Sequence, residues 1–189
     1  MKRMTDGNQK WETGDRKPVP ADRLTMTLLV IYLIILVWIV LFKLGVRFSY
    51  MEQREVNLLP FSEWFTPEGK TDVMETLLNV VIFIPLGVYA GMLFRKSSLG
   101  IQLLIFFGIS FLLEGLQFAF AIGAFDSTDL VTNISGGIVG LLFYRAFERL
   151  FTNPVKAQKF LNLLATAATL AMVILLVLLK MNRLPIRYQ

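Results

Sequence analysis

Residues 99–147 read LGIQLLIFFGISFLLEGLQFAFAIGAFDSTDLVTNISGGIVGLLFYRAF, two apolar runs joined by a polar break. The polar side chains in and around this break are Glu114, Gln117, Asp126, Asp129 and Asn133. A carboxylate at membrane depth costs about 2.5–3.5 kcal/mol on insertion scales, so it is rarely kept there without a buried partner or a ligand. The break is therefore the first place to look for function.

The composition predicts a membrane protein. Of the 189 residues, 55% are hydrophobic and 17% are charged, and the mean hydropathy is +0.60. Apolar runs of about 20 residues can each cross the bilayer, and in hydrocarbon they must be helical. These runs cover residues 24–42, 73–94, 99–121, 130–147 and 160–179. The sequence thus predicts an all-α integral membrane protein, a bundle of five transmembrane helices in which the second, third and fourth pack as antiparallel neighbours.

The same pattern divides the chain into three parts. Residues 1–23 are expected to form a disordered cytoplasmic tail, residues 24–180 the membrane domain, and residues 181–189 a short extracellular tail. The first span is expected to be an uncleaved anchor, because no cleavage site follows it. The outer segment, residues 43–72, contains apolar and aromatic residues at 56–61 with Trp64 and Phe65. Two alternatives stay open for it: a lid folded over the polar break, or a plain interfacial belt.

Basic residues predict the orientation. With the amino terminus in the cytoplasm, the inner segments hold twelve of the 19 basic residues, namely Lys2, Arg3, Lys10, Arg16, Lys17, Arg23, Arg95, Lys96, Arg145, Arg149, Lys156 and Lys159. The outer segments hold the other seven. The positive-inside rule therefore favours a multi-pass protein of the cell membrane with its amino terminus inside and its carboxyl terminus outside, although the basic tail after Lys180 argues against this.

The chain contains neither cysteine nor histidine. This excludes thiol nucleophiles, disulfides, histidine bases and Cys/His zinc sites. There is no phosphate-binding glycine loop, and basic residues are not interleaved with aromatic ones as nucleic-acid binding would require. We therefore expect no cofactor, no bound metal, no catalytic residue and no nucleic-acid partner.

Helical spacing predicts that the polar residues meet. At a rise of about 1.5 Å per residue, Asn79, Glu114 and Asn133 fall in one layer in the outer half of three helices. Glu114 and Gln117 are three residues apart, and Asp129 and Asn133 four apart, so each pair shares a helical face. The candidate ligand-binding residues of an outward-facing pocket are Asn79, Glu114, Gln117, Asp126, Asp129 and Asn133.

Two structural interpretations compete with this one. The polar groups could have a purely structural role, in which they form hydrogen bonds between helices that contribute about 0.6 kcal/mol each. Asp129 could also be the N-cap of the fourth helix and Asp126 a turn residue, a role compatible with ligand binding. The candidate helix-packing glycines are Gly87, Gly91, Gly136, Gly137 and Gly140, four of which form small-xxx-small patterns that let helices approach closely.

Four blocks of this chain resemble the VanZ family. They are residues 57–61 (NLLPF), residues 79–87 (NVVIFIPLG), Glu114 with Gln117, and residues 121–137 (AIGAFDSTDLVTNISGG). Many members carry an arginine shortly before the first aspartate of the last block, where this chain has Gly123 and Ala124, so an arginine–carboxylate pairing does not carry over. The resemblance implies a membrane protein of Gram-positive bacteria that gives low-level resistance to teicoplanin, a glycopeptide antibiotic, without a defined enzymatic reaction.

The sequence leaves three functional hypotheses. In the first, a non-enzymatic module binds or perturbs a cell-envelope amphiphile through the outward pocket. Its partners are membrane lipids, with teicoplanin or a lipid-linked cell-wall precursor as candidate ligands. The second is an enzyme acting on a lipid-linked headgroup with Mg²⁺ held by Glu114, Asp126 and Asp129. A transporter is the third, disfavoured because no internal repeat is detectable and no polar path crosses the bilayer.

Overall fold

A computed structural model describes residues 20–42, 56–61, 69–151 and 154–180. The predicted carboxyl-terminal tail, most of the predicted amino-terminal tail, and Trp64 and Phe65 lie outside these ranges. The elements in chain order are α1 (Pro20–Phe42), β1 (Val56–Asn57), α2 (Gly69–Leu93), α3 (Leu99–Ala119), β2 (Phe125–Asp126), α4 (Ser127–Leu150) and α5 (Pro154–Lys180). The prediction of an all-helical fold is confirmed.

Four of these helices contain a segment long and apolar enough to cross a membrane. The segments are Asp22–Leu41, Thr76–Leu93, Leu99–Ala119 and Ser127–Leu150. Helix α5 has 27 residues, and its side chains are described only as far as Leu170. The structure therefore supports four membrane spans, and the fifth stays a prediction.

Four helices, α1, α2, α4 and α5, begin earlier than predicted, and the sequence explains two of these starts. Helix α1 begins at Pro20 rather than residue 24, with proline at the first helical position, where its missing N–H would have no intrahelical partner. Helix α4 begins at Ser127 rather than residue 130, and its N-cap is Asp126. The Asp126 carboxylate accepts a hydrogen bond from the Thr128 backbone N–H at 2.7 Å. The prediction that Asp129 is the N-cap was wrong, since Asp129 lies in the first turn of α4.

The closest helix pair is α2 with α4, which corrects the predicted packing order. Helix α4 also packs against α3, whereas α2 and α3 touch little. Gly136 of α4 lies against Val80 and Gly140 lies against Ile84, so the contacts advance in the same direction along both helices. Helices α2 and α4 thus run parallel, as two helices separated by one antiparallel helix must.

Glycines make this close approach possible. A Cβ atom on Gly87 would lie 2.6 Å from the Leu141 backbone nitrogen, and one on Gly136 would lie 2.9 Å from Phe83 Cβ. At these glycines and at Gly140, the atoms nearest an added Cβ belong to the facing helix. Gly91 and Gly137 serve a different purpose, since they make room for aromatic rings: Tyr144 from α4 and Phe106 from α3, respectively.

The core lies where α1, α2, α3 and α4 meet. Its fully buried side chains are Leu36, Phe83, Leu86, Ala90, Phe106, Leu113 and Leu141. Large apolar side chains on the outside of the same helices, such as Ile34, Leu104 and Leu142, are exposed. An apolar exterior around an apolar core is the surface that a lipid-facing bundle requires.

Helix α5 is attached mainly to α1. Thr25 donates from its hydroxyl to Asn162 Oδ1 at 3.0 Å, and Gln158 Nε2 donates both to Asp22 Oδ1 at 3.0 Å and to Thr25 Oγ1 at 2.9 Å. Thr25, Gln158 and Asn162 are buried. Polar side chains, rather than apolar packing alone, thus hold α5 in place.

Candidate functional site

The polar residues gather at one end of the bundle, here called the polar end. It consists of residues 110–117 near the end of α3, the first two turns of α4 (residues 127–133), Asn79 of α2, and the β1–β2 pair. Each residue predicted to line the site lies at this end, but the structure joins them in pairs rather than in one ring.

Glu114 connects α3 to the turn that begins α4. Its side chain is 1% exposed. Its Oε2 atom accepts a hydrogen bond from the Asp126 backbone N–H at 3.3 Å. A buried carboxylate on one helix thus contacts the backbone of the residue that caps the next.

Asp129 connects α4 to α2. Asn79 Nδ2 donates to Asp129 Oδ1 at 2.7 Å, a short bond of the kind that an ionised acceptor makes. Both side chains are partly exposed, unlike Glu114. Asp129 is therefore an accessible carboxylate at the polar end, held in position by an amide from the neighbouring helix.

Asn133 lies one turn further along α4 and faces α3. It is 1% exposed, and its amide nitrogen donates to the Ser110 hydroxyl oxygen at 3.0 Å. Ser110 is fully buried. These two residues form the floor of the polar end, beneath the level of Glu114 and Asp129.

Gln117 shares the helical face of Glu114, as predicted, but its amide is directed to α1. Its Nε2 atom donates to the Val40 carbonyl at 3.0 Å. Val40 lies within the last four residues of α1, whose carbonyls have no intrahelical partner. Gln117 therefore fastens the end of α1 to α3.

Residues 56–61, here called the lid, fold back over the polar end. For this part of the outer segment, the structure therefore favours a lid over an interfacial belt. Strand β1 pairs in parallel with β2, with Val56 opposite Phe125 and Asn57 opposite Asp126. The Phe61 backbone N–H donates to Thr128 Oγ1 at 3.0 Å. Phe61 adopts a positive φ of 60°, which a non-glycine residue takes only at a turn constrained by its surroundings.

Sequence reasoning missed three residues of this site. They are Ser110, which accepts from Asn133; Thr128, which holds the lid; and Thr132, whose hydroxyl donates to backbone carbonyls of α4. Spacing could have found Ser110, because residues 110, 114 and 117 lie on one face of α3. No local signal marks Thr128, whose partner is 67 residues away.

The carboxylates of the polar end each have a hydrogen-bond donor beside them. Among the residues that the structure describes, no group of three or more carboxylates is close enough to hold a metal ion. Glu114, Asp126 and Asp129 each accept from a backbone or amide N–H. Among the described residues, this geometry gives no support to the Mg²⁺ hypothesis.

The opposite end of the bundle has its own polar contacts. Arg95 pairs with Glu148 at 3.5 Å, and Tyr144 donates to the same carboxylate at 3.2 Å. Arg145 donates to Gln102 Oε1 at 3.1 Å. These contacts hold the connection between α2 and α3 against α4. Glu148 is thus a carboxylate remote from the polar end.

Comparison with known proteins identifies the family. The model of the VanZ/LLP1 family matches residues 29–152, which include α2, α3, α4 and the whole polar end. Protein VanZ of Enterococcus faecium is 40% identical over 125 residues, covering 64% of this chain and 73% of that protein. No solved structure matches the chain. With four helices able to span a membrane, this chain is a multi-pass membrane protein and belongs to the VanZ/LLP1 family.

Proposed function

We propose that this protein lowers susceptibility to teicoplanin and related lipoglycopeptides by binding or perturbing a cell-envelope amphiphile at its polar end. Its membership of the family and its similarity to protein VanZ support the resistance role. The buried Glu114 carboxylate carries the assignment of the site. Simple interhelical adhesion does not require an ionisable group, and burying one is costly.

We further propose that the polar end faces the outside of the cell. The positive-inside rule supports this, because Arg95, Lys96, Arg145 and Arg149 lie at the opposite ends of α2, α3 and α4. The amino terminus is then cytoplasmic. Helix α5 is the fifth span in this topology and ends outside. Its 27 residues would measure about 40 Å, enough to cross the hydrocarbon core.

The accessible part of the site is Asp129 with Asn79, beside the lid. Glu114 lies beneath them and fixes the Asp126 turn, and Asn133 with Ser110 closes the floor. An amphiphile in the outer leaflet would approach this end from the side, with its headgroup level with Asp129. Membrane lipids, teicoplanin itself and a lipid-linked cell-wall precursor are the candidate ligands.

Charge-removing substitutions test this assignment. Glu114→Gln and Asp129→Asn keep the shape and the hydrogen-bond acceptor but remove the charge. Expressed in a susceptible Gram-positive host, both should lose most of the protection against teicoplanin while accumulating in the membrane at the normal level. The measurements are the inhibitory concentration and a membrane immunoblot.

Glu148→Gln is the matched control, because it removes one carboxylate at the opposite end of the bundle. It should retain protection. If Glu114→Gln and Asp129→Asn protect as well as the unaltered protein at equal expression, the polar end is only structural and the assignment is wrong.

A further inference from the structure

We propose that the polar end recognises the primary ammonium group of a membrane lipid. This inference rests on the proposed function and names the chemical class of its ligand. It follows from the donors and acceptors that the described residues bring together at this end.

The buried polar atoms left without a partner at the polar end are oxygens. Among the described residues, Gln117 Oε1, Ser127 Oγ and Asn133 Oδ1 are inaccessible and make no hydrogen bond. The amide nitrogens of Gln117 and Asn133 donate to the Val40 carbonyl and to the Ser110 hydroxyl, respectively. Buried polar atoms of native proteins nearly always have partners, so the two amide oxygens, which can only accept, indicate a group that donates.

Gln117 gives the firmest of these observations. Its partner, the Val40 carbonyl, can only accept, so the amide nitrogen must face Val40 and the oxygen must face away. The side chain is 3% exposed. It packs beneath the turn that leads to Asp126, since a Cβ atom on Gly123 would lie 3.4 Å from Gln117 Nε2. Gln117 and Glu114 thus both lie under the same turn, one helical turn apart.

The carboxylates determine the charge of the ligand. Glu114 and Asp129, which accept hydrogen bonds from the Asp126 N–H and the Asn79 amide, make this end a site of carboxylate acceptors. A phosphate or carboxylate ligand would be repelled. A primary ammonium group carries a positive charge and three N–H donors, which matches a site of carboxylates and amide oxygens.

The lid supplies an apolar surface beside this site. Leu58 and Leu59 are 70% and 72% exposed at the tip of the lid. They are adjacent in sequence to Asn57, which pairs with Asp126 in the β1–β2 ladder. A ligand with an ammonium headgroup and acyl chains can therefore contact both surfaces at once, as a lipid can and a soluble amine cannot.

Lipid selectivity tests the proposal. The purified full-length protein is incubated with phosphatidylethanolamine or phosphatidylcholine of identical acyl chains, and bound lipid is measured by native mass spectrometry. The two headgroups carry the same charge, but only ethanolamine has N–H donors. We expect the protein to prefer phosphatidylethanolamine by about tenfold, the effect of one hydrogen bond to a charged group.

Variants locate that preference. Glu114→Gln and Gln117→Met should abolish the preference, so that the two lipids bind about equally. Glu148→Gln should leave the preference unchanged. If Glu114→Gln does not fold, Gln117→Met decides, because it is uncharged, of similar size, and removes the unpartnered oxygen. A preference that survives Gln117→Met at full strength would place the lipid elsewhere and overturn the proposal.

Equal binding of the two lipids by the unaltered protein would also overturn it, whatever the variants do. That result is distinct from failure of the proposed function. Teicoplanin protection is measured in cells, and we expect it to depend on Glu114 and Asp129 whether the ligand is a lipid amine or another amphiphile.

Discussion

At the scale of single residues, Gly140 is the position least able to accept a side chain. A Cβ atom there would overlap the Ile84 carbonyl oxygen and lie 3.1 Å from Gly87 Cα. Both neighbours are backbone atoms and cannot rotate away. Gly140→Ala should therefore push α2 and α4 apart and destabilise the protein by about 1–3 kcal/mol, seen as a lower thermal unfolding temperature in detergent.

Gly108→Ala provides the matched control for this prediction. Gly108 is also in mid-helix, but nothing lies within 4 Å of the added Cβ atom. It should be neutral or stabilise the protein by up to about 1 kcal/mol, because alanine favours helix over glycine. Equal unfolding temperatures for the two variants would show that α2 and α4 are not in backbone contact.

Spacing predicted which polar residues share a helical face, but it did not predict their hydrogen-bond partners. Glu114 with Gln117 and Asp129 with Asn133 do share helical faces. The Gln117 amide nevertheless bonds the carbonyl of Val40, 77 residues away, which no periodicity encodes. The N-cap was misassigned for a different reason: the run Asp126-Ser127-Thr128-Asp129 offers four good capping residues in succession, and the choice depends on the fold.

Among the secondary-structure elements, the pairing of β1 with β2 can be tested by a disulfide cross-link. Val56 and Phe125 are register partners in adjacent parallel strands, which lie about 4.8 Å apart, within the range that a disulfide spans. The chain has no cysteine of its own. The double variant Val56→Cys/Phe125→Cys should therefore form an intramolecular disulfide on mild oxidation, detected as a mobility shift that reductant reverses.

Val56→Cys/Ser97→Cys is the control for this experiment, because Ser97 lies in the α2–α3 connection at the opposite end. It should not cross-link. The reduced Val56→Cys/Phe125→Cys protein should also react with a membrane-impermeant thiol reagent in intact cells. Cross-linking in the control, or none in the register pair, would contradict the lid, and reaction only after cell lysis would contradict the outward orientation.

Hydropathy predicted the existence of the helices well and their arrangement less well. The bounds of α2 and α3 differ from the predicted spans by at most four residues, because the apolar runs end sharply. The α2–α4 contact was not anticipated, since apolar runs do not encode which helices are neighbours. The glycine patterns were the available signal, because two helices that both carry small residues at four-residue spacing can pack more closely than other pairs.

At the scale of the whole molecule, the described chain has little mass outside the bundle. Apart from the lid and two short connections, the described residues belong to five helices. This described part of the chain offers little surface to a soluble glycopeptide. The protein can instead alter the membrane environment in which a membrane-anchored glycopeptide resides. Teicoplanin carries a fatty-acyl chain, which gains about 0.8 kcal/mol per buried methylene, whereas vancomycin carries none.

Drug selectivity shows whether the protein acts on an amphiphile held in the membrane. The protein is expressed in a susceptible Gram-positive host, and the inhibitory concentrations of teicoplanin, deacylated teicoplanin and vancomycin are compared with those for an empty vector. We expect the inhibitory concentration of teicoplanin to rise several-fold, because its acyl chain, at about 0.8 kcal/mol per buried methylene, holds it in the membrane. The inhibitory concentrations of deacylated teicoplanin and vancomycin should stay nearly unchanged. Equal protection against all three drugs would point to a change in their shared cell-wall target and would contradict this account.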